Sequence, residues 1–160
     1  MTRKRGNMQV KIKRIDKSLP LPQYHTEGAV AFDLYAREDT MIAPGEIWRI
    51  PTNFIIETPV GYVLQLSLRS GAPKKKPGLV VPHGVGLIDQ DFCGPEDEVL
   101  MQVLNTSNQI LGIIRGERFG QAMFVKIDRA EFVEVEAMPK TTRGGFGSTD
   151  KAAELSLKES

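Results

Sequence analysis

Tyr62-Val-Leu-Gln-Leu-Ser-Leu-Arg69 is the stretch whose reading decides the fold. Tyr62, Leu64, Leu66 and Leu68 are apolar, and Gln65, Ser67 and Arg69 alternate with them. Extended backbone turns successive side chains to opposite faces, so a period of two predicts a half-buried strand. The pattern stops at Arg69-Ser-Gly-Ala-Pro73, and a short helix is expected around Lys74 in the run Lys74-Lys-Lys76. Upstream, Val10 to Ile15 reads as a strand that Leu19-Pro-Leu-Pro22 breaks, because proline cannot donate into a ladder. Gly28 to Ala36 is a short strand carrying Asp33, and Ile47 to Thr58 is rich in β-branched and aromatic residues, with a bend or bulge expected at Pro51 and Asn53. Downstream, Val99, Met101 and Val103 alternate up to the turn Asn105-Thr-Ser-Asn108. Ile110 to Ile114, Phe119 to Ile127 and Phe132 to Val135 read as three more strands. No window of helix length carries a 3.6-residue stripe. The expectation is an all-β sandwich or barrel.

Length and composition bound the function. A chain of 160 residues is long enough for one domain with a real core. Lys+Arg 21 against Asp+Glu 20 gives a net charge of +1, so no nucleic-acid or membrane partner is expected. A single cysteine, Cys93, cannot form an internal disulfide and fits a reducing compartment, and no apolar run approaches membrane-spanning length. A cytoplasmic location is expected. Residues 1–8 are expected to be a disordered head and residues 1–138 the folded domain. From Pro139 the chain turns to glycines, hydroxyls, one arginine and one aromatic, which predicts an arm with no core face of its own, followed by a polar tail to residue 160.

The chemistry concentrates in Gly78-Leu-Val-Val-Pro-His-Gly-Val-Gly-Leu-Ile-Asp-Gln-Asp-Phe-Cys-Gly94. Asp89 and Asp91 would share a face if the strand ran through them, and would sit in a turn if it did not. Glycines at 84, 86 and 94 permit close approach of a ligand, and a carboxylate beside an aromatic residue suits a general base next to a flat polar ligand. Three further pieces suit phosphate. Arg69-Ser70-Gly71 offers a guanidinium, a hydroxyl and an unhindered N–H. Gly116-Glu-Arg-Phe-Gly-Gln121 offers an arginine and an amide, and Arg143 to Thr149 is a glycine-rich arm with an arginine and hydroxyls. None has the spacing of a P-loop. His25, His83 and Cys93 are too few and too scattered for a structural zinc site. Asp33, Asp89 and Asp91 could serve magnesium through water.

In this order, Ala31-Phe-Asp-Leu-Tyr-Ala36, Leu68-Arg-Ser-Gly71, Gly86-Leu-Ile-Asp-Gln-Asp-Phe92, Gly116-Glu-Arg-Phe-Gly-Gln121 and Arg143-Gly-Gly-Phe-Gly-Ser-Thr149 resemble the five motifs of the trimeric dUTP pyrophosphatase (dUTPase) family. The resemblance implies a distorted jelly-roll-like β-barrel, a homotrimer with active sites shared between subunits, and magnesium-assisted hydrolysis of dUTP to dUMP and pyrophosphate. It implies that Asp89 activates the attacking water and that Asp33 orients Mg²⁺ through water. Arg69, Ser70, Gly71 and Gln121 would hold phosphate. Backbone from His83 through Gly86, Leu87 and Ile88 would read uracil, Phe92 would pack under the deoxyribose, and Leu100 would complete the substrate pocket. In the arm, Phe146 would stack on uracil while Arg143, Gly147, Ser148 and Thr149 hold the γ-phosphate.

Four positions depart from the family pattern. His83 stands where the family usually has asparagine, and Phe92 replaces a tyrosine. Pro95-Glu-Asp97 is inserted after Gly94, and Arg143 lies only three positions before Phe146. The neighbouring dCTP deaminases use a glutamate three positions before the asparagine that ends the strand; here that position is Gln102, and an amide cannot take the proton. A dUTPase-like trimer that binds nucleotide and regulates partners is the remaining alternative.

Overall fold

The computed structural model describes residues 8–142, 144 and 145. The chain divides after Asp128 into two units. All regular structure among the described residues lies in the first: β1 (Ile12–Arg14), β2 (Phe32–Tyr35), β3 (Thr40–Ile42), β4 (Ile47–Pro51), β5 (Phe54–Ile56), β6 (Tyr62–Leu68), α1 (Ala72–Lys75), β7 (Leu79–Val80), β8 (Gly86–Ile88), β9 (Leu100–Asn105), β10 (Leu111–Ile113) and β11 (Arg118–Lys126). The class is all-β, as the alternation predicts. The strands pair as β1-β5, β10-β3, β2-β11-β6-β8 and β4-β9-β7, every pair antiparallel. Leu34, Ile42, Ile50, Phe54, Leu64, Leu66, Met101, Val103 and Ile113 come from all these sheets and form one buried core.

The period-two stretch becomes β6, the centre of the four-stranded sheet. Its apolar Leu64 and Leu66 are buried while the intervening residues are only half-buried. On one side β6 pairs along its length with β11, and on the other it pairs with the short β8. Gly86 stands opposite Leu66, where an added Cβ would lie 3.0 Å from the Leu66 Cβ and would force one of the two strands to give, so the missing side chain lets β8 come this close.

The bend expected at Pro51 and Asn53 is the junction of β4 and β5. Asn53 adopts φ 74°, the left-handed region that costs least for Gly, Asn and Asp. It is wholly buried and fully partnered. Its amide oxygen accepts from Asp16 N at 2.6 Å, its Nδ2 donates to Asp16 O at 2.9 Å, and its own N–H donates to Glu98 Oε1 at 2.8 Å. Glu98 in turn takes a bidentate pair from Arg37, at 3.0 and 2.9 Å, and holds that guanidinium above its ordinary pKa.

One expected strand is absent, one open question is resolved and one strand escaped the sequence reading. Phe132 to Val135 form no strand; Phe132 is 95% exposed, and among the described residues no ladder partner reaches it. Of the two alternatives at Asp89 and Asp91 the turn is found: β8 stops at Ile88, and Asp89 opens a turn closed by Phe92 N–H donating to Asp89 O. β3 has only three residues, one of them exposed, too short for its alternation to register.

Candidate active site

Asp33 sits on β2, all four residues of which are buried, and its carboxylate is the hub of one half of the site. Arg69, the first residue after β6, donates from Nε to Asp33 Oδ1 at 2.8 Å. Arg118 Nη1 reaches Oδ2 at 3.2 Å, and His25 Nε2 reaches the same oxygen at 2.9 Å. The carboxylate has only acceptors, so the imidazole nitrogen facing it carries the hydrogen. Two guanidiniums fixed by one buried carboxylate cannot swing freely, and each keeps donors uncommitted to Asp33.

A register shift makes this possible. Between Arg118 and Gly120, β11 carries a bulge, so that Arg118 pairs with Tyr35 while Gln121 pairs with Asp33. Three residues apart on a regular strand, Arg118 and Gln121 would face opposite ways; the extra residue brings both to one cleft. Beside the bulge Gly120 leaves room for Met101, whose Sδ would lie 2.6 Å from a Cβ there. Gln121 Nε2 is held by Ser67 Oγ at 3.2 Å and Leu68 O at 3.3 Å. Ser70 and Gly71 follow Arg69 at the cleft mouth, and α1 begins at once, with Ala72 N–H donating back to Arg69 O at 2.9 Å. The cleft measures about 380 Å³ and is lined by Arg69, Lys75, Lys76 and Arg118 against Asp33 and Glu117. Lys76 pairs with Glu117 at 3.0 Å, and the excess charge left is positive. Such a cleft suits an anion of phosphate size or larger.

His83, Gly86, Leu87, Ile88, Phe92 and Leu100 come together elsewhere, around a second cleft of about 260 Å³. His83 Nδ1 lies 2.6 Å from Val85 O; a carbonyl only accepts, so Nδ1 carries the hydrogen and the ring presents Nε2 outward. Arg49 and Gln102, paired across β4 and β9, also line this cleft. Asp89 is exposed in the turn beside Ile88 and Phe92. That turn is pinned by Gln90, whose Nε2 donates to Tyr62 O at 2.9 Å. The insertion after Gly94 is ordered by Asp97, whose Oδ2 accepts from Gly94 N at 2.7 Å.

The two halves are far apart along one chain. Leu64 pairs with Ile88, so Asp89 falls beside the start of β6, whereas Arg69 lies beyond its other end. Six residues of extended chain separate those points, about 20 Å. Arg143, Phe146, Gly147, Ser148 and Thr149 lie outside the described residues.

Sequence reading did not select His25, Lys75 or Arg118 for the site. Arg118 lay within a motif already read as suited to phosphate. Lys75 lay in a basic run indistinguishable from a solvated turn. His25 had no signal, because it reaches Asp33 from an irregular loop eight residues away.

These features define a class of protein: an all-β body with a cationic cleft suited to phosphate and a second, separate and partly apolar cleft. The comparisons narrow the class. The dUTPase family model matches residues 17–150. The deoxyuridine 5'-triphosphate nucleotidohydrolase of Nautilia profundicola is 39% identical over 146 residues, 90% of this chain and 100% of that one. The protein of the same name from Dictyoglomus turgidum is 41% identical over 148 residues, 89% of this chain and 98% of that one. Among solved structures, the dUTPase from Streptococcus mutans superposes with a TM-score of 0.67 at 32% identity, over 76% of this chain and 98% of that one. This chain belongs to the dUTPase family.

Proposed function

We propose that this chain hydrolyses dUTP to dUMP and pyrophosphate, as a homotrimer of jelly-roll-like barrels whose active sites are each built from more than one subunit. The observation that carries the reading is the separation of about 20 Å along β6 between Asp89 and the arginine pair on Asp33. One chain cannot bring that base to those phosphate holders. Neighbouring copies can, each presenting the Asp89 turn of one to the cationic cleft of another.

In such a site the backbone from His83 to Asp89 reads uracil, with Leu100 closing the pocket and Phe92 under the deoxyribose. Arg69, Ser70, Gly71 and Gln121 hold the phosphates. Asp89 takes a proton from water, the water oxygen attacks the α-phosphorus, and the bond to the bridging oxygen breaks to release pyrophosphate. Exposure of Asp89 in the free subunit is consistent with a base that meets its substrate only after assembly. The arm carrying Arg143, Phe146, Gly147, Ser148 and Thr149 closes over the bound nucleotide and excludes bulk water.

The residues fit magnesium that arrives on the triphosphate. Among the described residues no group of three or more His, Cys, Asp or Glu could enclose an ion, and Asp33 has about one acceptor position left after Arg69, Arg118 and His25. That is enough to accept from one magnesium-bound water and too little for bidentate ligation. When bound, magnesium neutralises charge on the phosphate oxygens. Cys93, half-buried and unpaired, is compatible with the cytoplasm.

The test is turnover on a panel of dUTP, dCTP, dTTP and UTP with pyrophosphate detected. Equimolar dUMP and pyrophosphate from dUTP alone, lost on chelation of magnesium, is the expected result. Ammonia from dCTP, or tight dUTP binding without turnover, would replace this reading with deamination or with a purely binding trimer.

A further inference from the structure

The third contact on Asp33 comes from a residue that none of the five motifs contains. His25 lies in the irregular segment between β1 and β2, yet it is fixed on both sides. Immediately before it, the Tyr24 ring stands edge-on to Phe32 with centroids 5.9 Å apart. Immediately after it, Ala29 N–H closes a turn onto Thr26 O at 3.1 Å. The ring is thereby delivered to Asp33 Oδ2 at 2.9 Å, with Arg118 Nη1 on the same oxygen at 3.2 Å and only 3.4 Å from His25 Nε2. His25 is 45% exposed by its side chain and faces the cationic cleft, whereas the carboxylate it touches is 7% exposed.

We propose that His25 is a positioning residue for polyphosphate: its N–H fixes the rotation of the Asp33 carboxylate, and through it the directions of the Arg69 and Arg118 guanidiniums. A buried carboxylate with one partner per oxygen could still turn about its Cβ–Cγ bond and carry both arginines with it. A second donor on Oδ2, held by a loop that Tyr24 anchors, removes that freedom. The ligand is the triphosphate chain of a nucleotide, and the proposal rests on the hydrolytic function above for its kinetic reading only. Fixed arginines hold phosphate alike before and during reaction, so loss of His25 acts on binding more than on the chemical step.

The experiment compares wild type, His25→Ala and His25→Gln, the last keeping an N–H near the position of Nε2. Steady-state kinetics with dUTP are paired with calorimetric binding of a non-hydrolysable dUTP analogue and of inorganic tripolyphosphate. His25→Ala is expected to raise KM and both dissociation constants about three- to tenfold, the scale of one partly exposed hydrogen bond to a charge, with kcat within about twofold. His25→Gln is expected to restore all three values to near wild type, and thermal midpoints should agree across the three proteins. Unchanged affinity in His25→Ala, or a His25→Gln protein as weak as His25→Ala, overturns the positioning role. A wild type that binds the triphosphates but does not turn over dUTP sinks the hydrolytic reading instead, and the binding comparison still decides the role of His25.

Discussion

Asp89 and Asn53 show how differently two polar residues can matter. Among the described residues the Asp89 side chain makes no hydrogen bond or ion pair, its turn being closed through the backbone, so Asp89→Asn is expected to fold with an unchanged thermal midpoint. It should lose about 10²–10⁴-fold in kcat, because an amide cannot take the proton from water. Calorimetry with a non-hydrolysable analogue should show the affinity largely kept. Asn53 is the reverse case. Asn53→Ala leaves Asp16 N, in a half-buried place, without its partner and puts a Cβ without a compensating amide at φ 74°. A loss of roughly 2–4 kcal/mol in denaturant unfolding is expected. A third residue sets an acid limit. The Ser18 hydroxyl and N–H, together with Arg115, hold the Asp16 carboxyl well below the usual carboxylate range. A depressed folded value means stability that is complete above the unfolded carboxylate value and is lost as pH falls through the folded one. Asp16→Asn should therefore show a flatter fall in thermal midpoint below about pH 4 than wild type. Parallel curves would show that the Asp16–Arg115 pair does not couple to folding.

Elements were legible where the local pattern and the final environment agree. β6 was readable because one of its faces is core and the other is not. The β4–β5 break was readable because Pro51 and Asn53 restrict backbone. The bulge in β11 was not readable, since nothing in Arg118-Phe-Gly-Gln121 says which residue drops out of the ladder, and that choice decides whether Arg118 and Gln121 share a cleft. The turn at Asp89 stood as one of two open readings, because Ile88-Asp-Gln-Asp-Phe92 alternates as a strand would; the ladder ends at Ile88, and beyond it the Gln90 side chain donates to Tyr62 O. Phe132 to Val135 is rich in aromatic and β-branched residues, but a strand needs a neighbour, and none is present among the described residues. The element-scale prediction concerns the closest strand approach. Gly86→Val should push β8 off Leu66, costing about 1–3 kcal/mol and displacing the Asp89 turn. Both stability and kcat/KM should fall. A variant with normal stability and activity would show that β8 need not lie against β6 at Leu66.

For the whole molecule, the motifs were legible as chemistry long before they were legible as geometry. Asp33, Arg69, Ser70, Gly71 and Gln121 do meet, and so do His83, Gly86, Leu87, Ile88, Phe92 and Leu100, but the two groups line different clefts. Sequence order cannot show this, because it is the antiparallel register of β6 and β8 that sets Asp89 beside the start of β6, away from Arg69 at its end. In the proposed trimer, assembly joins what the register separates. Full-length Asp89→Asn and Arg69→Ala chains, each inactive alone, should be refolded or co-expressed together so that subunits exchange. If each site takes its aspartate from one subunit and its arginine from another, random equimolar assembly into cyclic trimers leaves about a quarter of sites intact. Activity near a quarter of wild type is the predicted result. Mixed trimers, verified by mass, that remain as inactive as their parents would contradict it.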